Sequence, residues 1–410
     1  MSELIVDDLQ VRFHPRIDAF PAQAWDALRP DDNPFVSHAF LALLERSGCI
    51  RADWGWQAHH LGLYRGERLV AAAPLYLKGN SHGEFVFDWS WASAYERAGG
   101  DYYPKLLNAV PYSPVPGPRL LAGADAASPA LRRALARAMH DEAQTHGLSS
   151  VHANFLDTAE LDAFDGDWLV RGDVQFHWHN ANYADFDAFL AALSSKKRKN
   201  IRQERAQVER SGLTLEWRGG ASLSADEWRQ IHALYEATFD AKGNHAALTR
   251  RFFGGLGQTL GDTVQLALAR DGERIVAMAL FLQSGSALYG RYWGALTDAP
   301  SLPLGTYSAL PRDIEYPPEN RNRTNLLHFE LCYYQGIEYC IKHGLSTFEP
   351  GAQGRETKMP RGFLPTPTHS RHYIVHESFR EAVRDSLKHE LANKDAYYDE
   401  MMEHSPYAAR

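Results

Sequence analysis

Several side chains able to do chemistry fall in stretches whose pattern says how they are presented. "STFEPGAQG" (346–354) sets Glu349 at the end of a short strand, directly before a Pro-Gly turn. A carboxylate there can serve as a base, and the exposed backbone N–H groups of the turn can receive an oxyanion; a structural pair with an arginine is the alternative. "ALYGRYWGA" (287–295) reads as a strand carrying Arg291 between aromatics, with Tyr289, Arg291 and Trp293 on one face. A guanidinium buried there needs a carboxylate of the protein or an anionic ligand. His328 and Glu330 fall near the start of a helix, with Cys332 one turn beyond His328 and Tyr339 on the same face. Two ligands without a third make a poor metal site, so His328 reads as a hydrogen-bonded core histidine or a general base, and no metal is expected. His177 and His179 share a strand face and read as a satisfied pair.

One stretch is cationic. "SSKKRKNIRQER" (194–205) packs six Lys and Arg into twelve positions of a chain with net charge −8. Asp185 can cap a short helix through Leu193, and Ser194 or Ser195 a second one ended by Gly212. Leu190, Leu193, Ile201 and Val208 form an apolar stripe that docks these helices. Lys196, Lys197, Arg198 and Lys199 crowd the first turn, where the helix dipole disfavours cations. With the free N–H groups of a helix start, they form a candidate phosphate contact that includes Arg202; a solvated interdomain helix is the alternative.

The elements that must position these groups repeat. "RGERLVAAAPLYLKG" (65–79) matches "DGERIVAMALFLQSG" (271–285), each at a hairpin turn whose Gly supplies a positive φ. "THGLSSVHANF" (145–155) matches "KHGLSTFEPGA" (342–352), each a helix ended by Gly and followed by a strand. Between the echoes each copy carries an aromatic strand, "EFVFDWSWA" and "ALYGRYWGA", which makes Asp88 the counterpart of Arg291. Two echoes in one order indicate a tandem duplication. Each copy reads as strand, two helices, a three-stranded meander, helix and strand, an α+β order with a mixed sheet. A strand near 370–377 and a charged helix from about 378 finish the chain. Residues 297–324, rich in Pro, Asn and Arg, read as a long inserted loop. A length of 410 residues suits two domains. Three cysteines without CxxC spacing, no basic-then-apolar start and no long apolar run point to a cytoplasmic protein without a membrane span. Overall acidity weighs against DNA and restricts any polyanion to a local patch.

This order of elements resembles the GNAT acyltransferase fold, twice over. "NPFVSHAFLALLERSG", "FVFDWSWASAYERAG", "HWHNANYADFDAFLAALSSKKRKNIRQER", "HFELCYYQGIEY" and "FEPGAQG" resemble the FemAB-like family, described as peptidoglycan biosynthesis or recognition proteins and similar to FemX aminoacyltransferases. The family's Glu-His-Lys after "FEPGAQG" is replaced here by "RETKMPRGF". The resemblance implies two GNAT-like domains, 1–183 and 213–410, joined by basic linking helices over 184–212. It implies an N-acyltransferase that moves an acyl or aminoacyl group to a small-molecule or peptide amine, with chemistry in the second copy. Glu349, His328 and Arg291 would be catalytic. Tyr289, Tyr292, Trp293, Glu330 and Gln353, with Asp88 and Trp89 in the first copy, would contact substrate. Lys358 and Arg361, in a stretch like the Phe-Lys-x-Gly-Phe region of FemX enzymes, would meet donor phosphates. No cofactor would be tightly bound. The Gly-rich CoA loop of GNAT enzymes is missing before "LLHFELCYYQGIEYC", which favours aminoacyl-tRNA over acyl-CoA as donor. A non-catalytic module recognising a peptide or cell-wall precursor is the alternative.

Overall fold

The protein is described by a computed structural model over residues 8–241, 243–296, 326–352 and 354–408. The expected loop 297–324 and Gln353 lie outside these residues. The chain forms two compact units, Met1–Val174 with Pro367–Tyr397, and Gln175–Thr366 with Tyr398–Arg410. These bounds differ from the expected ones in two ways. The linking helices belong to the second unit, and residues 367–397 return to the first. Strand pairing gives the reason: Arg371–Ile374 pair with Ser150–Ala153, while Leu193 bridges Tyr407.

In the first unit, β1 (Gln10–His14), β3 (His60–Arg65) and β4 (Arg68–Ala73) form an antiparallel sheet. β2 (Trp56–Ala58), β5 (Tyr76–Lys78), β6 (Lys105–Asn108), β7 (Ser150–Ala153) and β14 (Leu364–Ile374) follow one another in a second sheet, in which β6 and β7 run parallel. The helix Ser128–Thr145 covers this unit's core. Its Leu131, Leu135 and Met139 recur at helical spacing and meet Leu61, Leu106 and Val151.

"EFVFDWSWA" is not a strand. Asp88 sits at the N-cap of the helix Trp89–Arg97, which turns Trp91 and Ala92 inward. Tryptophans two apart look like strand alternation, but Trp91 and Tyr95 are four apart and define the helix face. The strand that runs parallel to its successor, as the second copy's aromatic strand does, is β6. Asp88 is therefore not the counterpart of Arg291.

In the second unit, β8 (Leu169–His179) pairs through Trp178 and His179 with β13 (Thr347–Glu349). β12 (Ala287–Ala295) runs parallel to β13, then β11 (Arg274–Gln283), β10 (Val264–Asp271) and β9 (Thr214–Gly219) continue antiparallel. Both expected hairpins are present, with Gly66 at φ 59° and Gly272 at φ 57°. The helix Ala225–Asp240 opens with the capping box of Ser224 and Glu227 and buries Trp228, Ile231 and Tyr235. The helix described from residue 326 onward passes through a π segment, Glu330–Tyr334, before Gln335–His343. A Cβ on Gly336 would collide with the Phe348 ring, which explains a glycine in mid-helix. The short helix Phe186–Ala192 is capped by the Asp185 side chain, as expected. The basic helix Ser195–Glu209 starts after Ser194 but has no side-chain cap. Its Ile201 and Val208 are buried, as are Leu190 and Leu193 before it.

Candidate active site

The second unit's site begins where the ladder between two parallel strands ends. β12 and β13 pair over Ala287↔Thr347, Leu288↔Phe348 and Tyr289↔Glu349, and beyond the ladder Pro350 and Gly351 stay packed on Gly290. β12 continues along β11 through a bulge: Gly290 pairs with Phe281 and Tyr292 with Leu280, so Arg291 is the extra residue. A bulge re-aims side chains. Tyr289, Arg291 and Trp293 consequently do not alternate along one flat face. Tyr292 packs on Tyr235 and Phe253, with ring centroids at 5.2 and 6.4 Å, whereas Trp293 meets His328 at 5.1 Å.

Charge gathers at this strand end. Burial pulls the Arg291 guanidinium below its ordinary pKa, opposed by the nearby Tyr292 and Glu349. Lys358 is wholly buried, and its ammonium donates to the Gly351 carbonyl, fixing the turn after Glu349. Burial brings Lys358 down to about 7, helped by the positive charge of Arg291. Glu349, Arg291 and Lys358 thus share one electrostatic neighbourhood, with Glu349 and Arg291 partly exposed. A carboxylate, a guanidinium and a Gly turn at a strand end can accept a proton from an amine and steady an oxyanion.

Other expected site residues are placed differently. His328 is buried among the rings of Trp293, Phe329 and Tyr333, and the π segment breaks the simple one-turn spacing to Cys332. The Glu330 carboxylate accepts from Arg205 at 3.2 and 3.0 Å and from Gln335 at 2.8 Å. Arg361 donates to Glu204 at 2.8 Å, to the Tyr334 hydroxyl at 2.8 Å and to the Thr357 carbonyl at 2.6 Å. Glu204 and Arg205 therefore tie the basic helix to the segments beside the site. Nothing in the sequence singled these two out, because one helical turn of mixed charge looks like any solvated face. His177 is buried on Gln175, and its pKa falls to about 3 through burial and Lys358; His179, at the end of the strand, is exposed. Among the described residues no group of three His, Cys, Asp or Glu is placed to hold a metal ion.

On the basic helix, Arg198 donates to the Ala191 carbonyl and Arg202 pairs with Asp187 at 2.8 Å. Arg198, Lys199, Arg202 and Arg210 line a shallow groove of about 300 Å³. Lys196 is exposed and Lys197 half-buried.

Asp88 and Trp89 belong to the first unit. Trp89 is 43% exposed and meets His82 and Phe87. Asp88 is buried and accepts from Ser81, from Tyr102 at 2.5 Å and from Lys105 at 2.5 Å. Burial opposes its ionisation, yet Lys105, His152 and Ser81 hold it well below the usual carboxylate range. Lys105 also donates to Glu84 at 2.8 Å. Burial raises Glu84 to about 7, against the pull of Lys105.

Aligned on Gly147 and Gly344, His152 of β7 is the counterpart of Glu349, and through the strand registers Ala109 is the counterpart of Arg291. His152 is sealed: it bonds Ser150 at 2.8 Å and His372 at 2.6 Å, and burial takes its pKa down to about 3. Here the ladder runs on past that position. Asn108 pairs with Ala153, and the Asn154 N–H reaches the Asn108 carbonyl at 3.0 Å. Arg119 closes the end, donating to the carbonyls of Asn154, Pro118 and Val115 at 3.1, 3.0 and 2.5 Å.

Among the described residues no helix is long and apolar enough to cross a membrane. Comparison with known proteins agrees with the architecture. The profile of the FemAB-like family, described as peptidoglycan biosynthesis/recognition, matches residues 16–310 and 320–409. The structure of the C-terminal domain of a putative lysylphosphatidylglycerol synthetase from Agrobacterium fabrum is similar at 10% identity and TM-score 0.53, covering 89% of this chain and 95% of that one. FemX is similar at 11% identity and TM-score 0.50, covering 92% and 100%. A tandem GNAT protein from the clavulanic acid biosynthesis pathway matches at 11% identity and TM-score 0.41, covering 90% and 99%. No curated protein sequence matches the chain. The fold is α+β, and the chain belongs to the FemAB-like family.

Proposed function

We propose that the protein is an N-acyltransferase that joins an acyl or aminoacyl group to an amine-bearing small molecule or peptide, using the strand end of the second unit. The observation that carries this reading is the gathering of Glu349, Arg291 and Lys358 where the β12–β13 ladder ends at Tyr289↔Glu349. Glu349 takes the proton of the attacking amine, while Arg291 and the turn after Glu349 steady the negative charge on the carbonyl oxygen; as the amide forms, the ester or thioester bond breaks and the departing tRNA oxygen or CoA sulfur takes up that proton. Lys358 positions that turn through the Gly351 carbonyl. The donor arrives as a co-substrate, aminoacyl-tRNA or acyl-CoA, and nothing is tightly bound. The cations of the basic helix, Lys196, Lys197, Arg198 and Arg202, meet its phosphates. Three free thiols, Cys49, Cys332 and Cys340, suit a reducing cytoplasm, where both donors are made.

The purified chain should transfer label from acetyl-CoA or from aminoacyl-tRNA to a muropeptide-type peptide, read as a new amide by mass. One observation favours the alternative of a recognition module: the Arg361 donors are engaged by Glu204, Tyr334 and Thr357 instead of facing a ligand. Saturable peptide binding with no transfer from either donor would overturn the transferase and support that module.

A further inference from the structure

The basic helix has two faces. Arg198, Lys199, Arg202 and Arg210 line the outer groove, while Ile201, Glu204, Arg205 and Val208 turn inward. Glu204 is the carboxylate that meets Arg361, accepting from its Nη2 at 2.8 and 2.9 Å. The Tyr334 hydroxyl donates to the same carboxylate and accepts from Arg361 Nε at 2.8 Å. The Arg361 guanidinium lies over the Phe329 ring, 3.4 Å from its centroid, and the side chain is 9% exposed. Its Nη1 donates to the Thr357 carbonyl at 2.6 Å.

That last bond bears on the strand end. The helix Arg355–Lys358 has four residues, too few to hold its own shape. At its start the Thr357 hydroxyl and the Lys358 N–H meet the Gly354 carbonyl at 2.8 and 3.1 Å, and Arg361 holds its far end. Lys358 reaches from this helix to the Gly351 carbonyl, in the turn after Glu349. A buried guanidinium keeps such a place only while a carboxylate compensates its charge.

We infer that Glu204 is a positioning residue for the strand-end site: through Arg361 and Lys358 it fixes the turn that follows Glu349. Without its charge the Arg361 guanidinium turns outward to water and lets go of the Thr357 carbonyl, which loosens the helix that carries Lys358. The effect of Glu204 on turnover rests on the transferase reading; its hold on the turn does not. Glu204→Gln keeps the size of the side chain and removes its charge. In the full chain it should lower kcat for transfer about tenfold, with the KM values of donor and acceptor within about twofold. Amide hydrogen exchange across residues 354–361, read by mass spectrometry, should quicken at least about tenfold, with the helix Ala225–Asp240 unchanged. Glu204→Asp, which keeps the charge, should recover most of both. A lower melting temperature with kcat and the exchange of 354–361 unchanged would make Glu204 a plain structural anchor and overturn the proposal. If the wild-type chain transfers from neither donor, the transferase reading falls, and the exchange comparison alone decides the hold on the turn. Should Glu204→Gln fail to fold, Tyr334→Phe removes only the hydroxyl that joins the pair. It should quicken exchange over the same residues about threefold, and no change there would overturn the proposal.

Discussion

Glu349 and His152 hold the same place in two copies of one strand, and their surroundings are opposite. In the second unit the pairing stops at Glu349, and a bulge, a guanidinium and a buried lysine border that strand end. In the first unit the pairing runs one residue further and Arg119 caps the strand ends with bonds to three carbonyls. His152 is confined between Ser150 and His372, beside the buried Asp88–Lys105–Glu84 cluster. Two matching strand ends are thus built differently: one ladder stops at a partly exposed carboxylate beside a guanidinium, and the other runs on into a sealed, capped end.

The sharpest way to break this comparison is at Glu349. Glu349→Gln should lower transfer by at least about a hundredfold at unchanged melting temperature. A near-normal rate with lost stability would make the carboxylate structural, like its counterpart. Arg119→Met should do the converse. Leaving three buried carbonyls without donors is expected to reduce stability by about 2–4 kcal/mol in urea unfolding while sparing turnover. Equal loss of activity would mean that the first unit's strand end is also functional.

Titration separates the two ends further. Burial holds His152 at about 3 and drives His372 well below its ordinary value of 6.5. The unfolded chain takes up protons below pH 6.5 that these folded histidines refuse, so stability should fall from there toward pH 3. Each contributes up to about 1.4 kcal/mol per pH unit, and above pH 6.5 neither contributes a slope. Denaturation midpoints against pH check this, and His372→Leu should remove one of the two contributions. The smallest effect concerns the basic helix. Replacing Lys196, Lys197 and Arg198 by Ala should reduce the salt dependence of polyanion binding by about two to three in the logarithmic slope. An unchanged slope would return the helix to the role of a solvated strut.

Much of this was legible in the residues. Gly66 and Gly272 fixed both hairpins, the capping box at Ser224 fixed a helix start, and the Gly-ended echoes aligned the copies. Glu349 could be placed at a strand end because Pro-Gly directly after it stops the strand. The fate of "EFVFDWSWA" was hidden because Trp89 and Trp91 mimic alternation, while the partners that fix Asp88, Ser81 and Lys105, lie seven and seventeen residues from it in sequence. Lys358 is a plain surface residue by type, and only the fold reveals that it is sealed beneath Gly351. The bulge at Arg291 left no mark either, since one inserted residue does not disturb an aromatic-rich pattern.

The return of Pro367–Tyr397 to the first unit has a practical consequence for anyone dissecting the chain. A fragment stopped at residue 183, where the duplication invites a cut, would lack β14 and leave β7 as a bare sheet edge, with His152 deprived of His372. Such a fragment is expected to aggregate through that edge. An excised first unit stands a better chance as a rewired chain, with Pro367–Tyr397 spliced by a short linker behind Val174, than as a simple truncation.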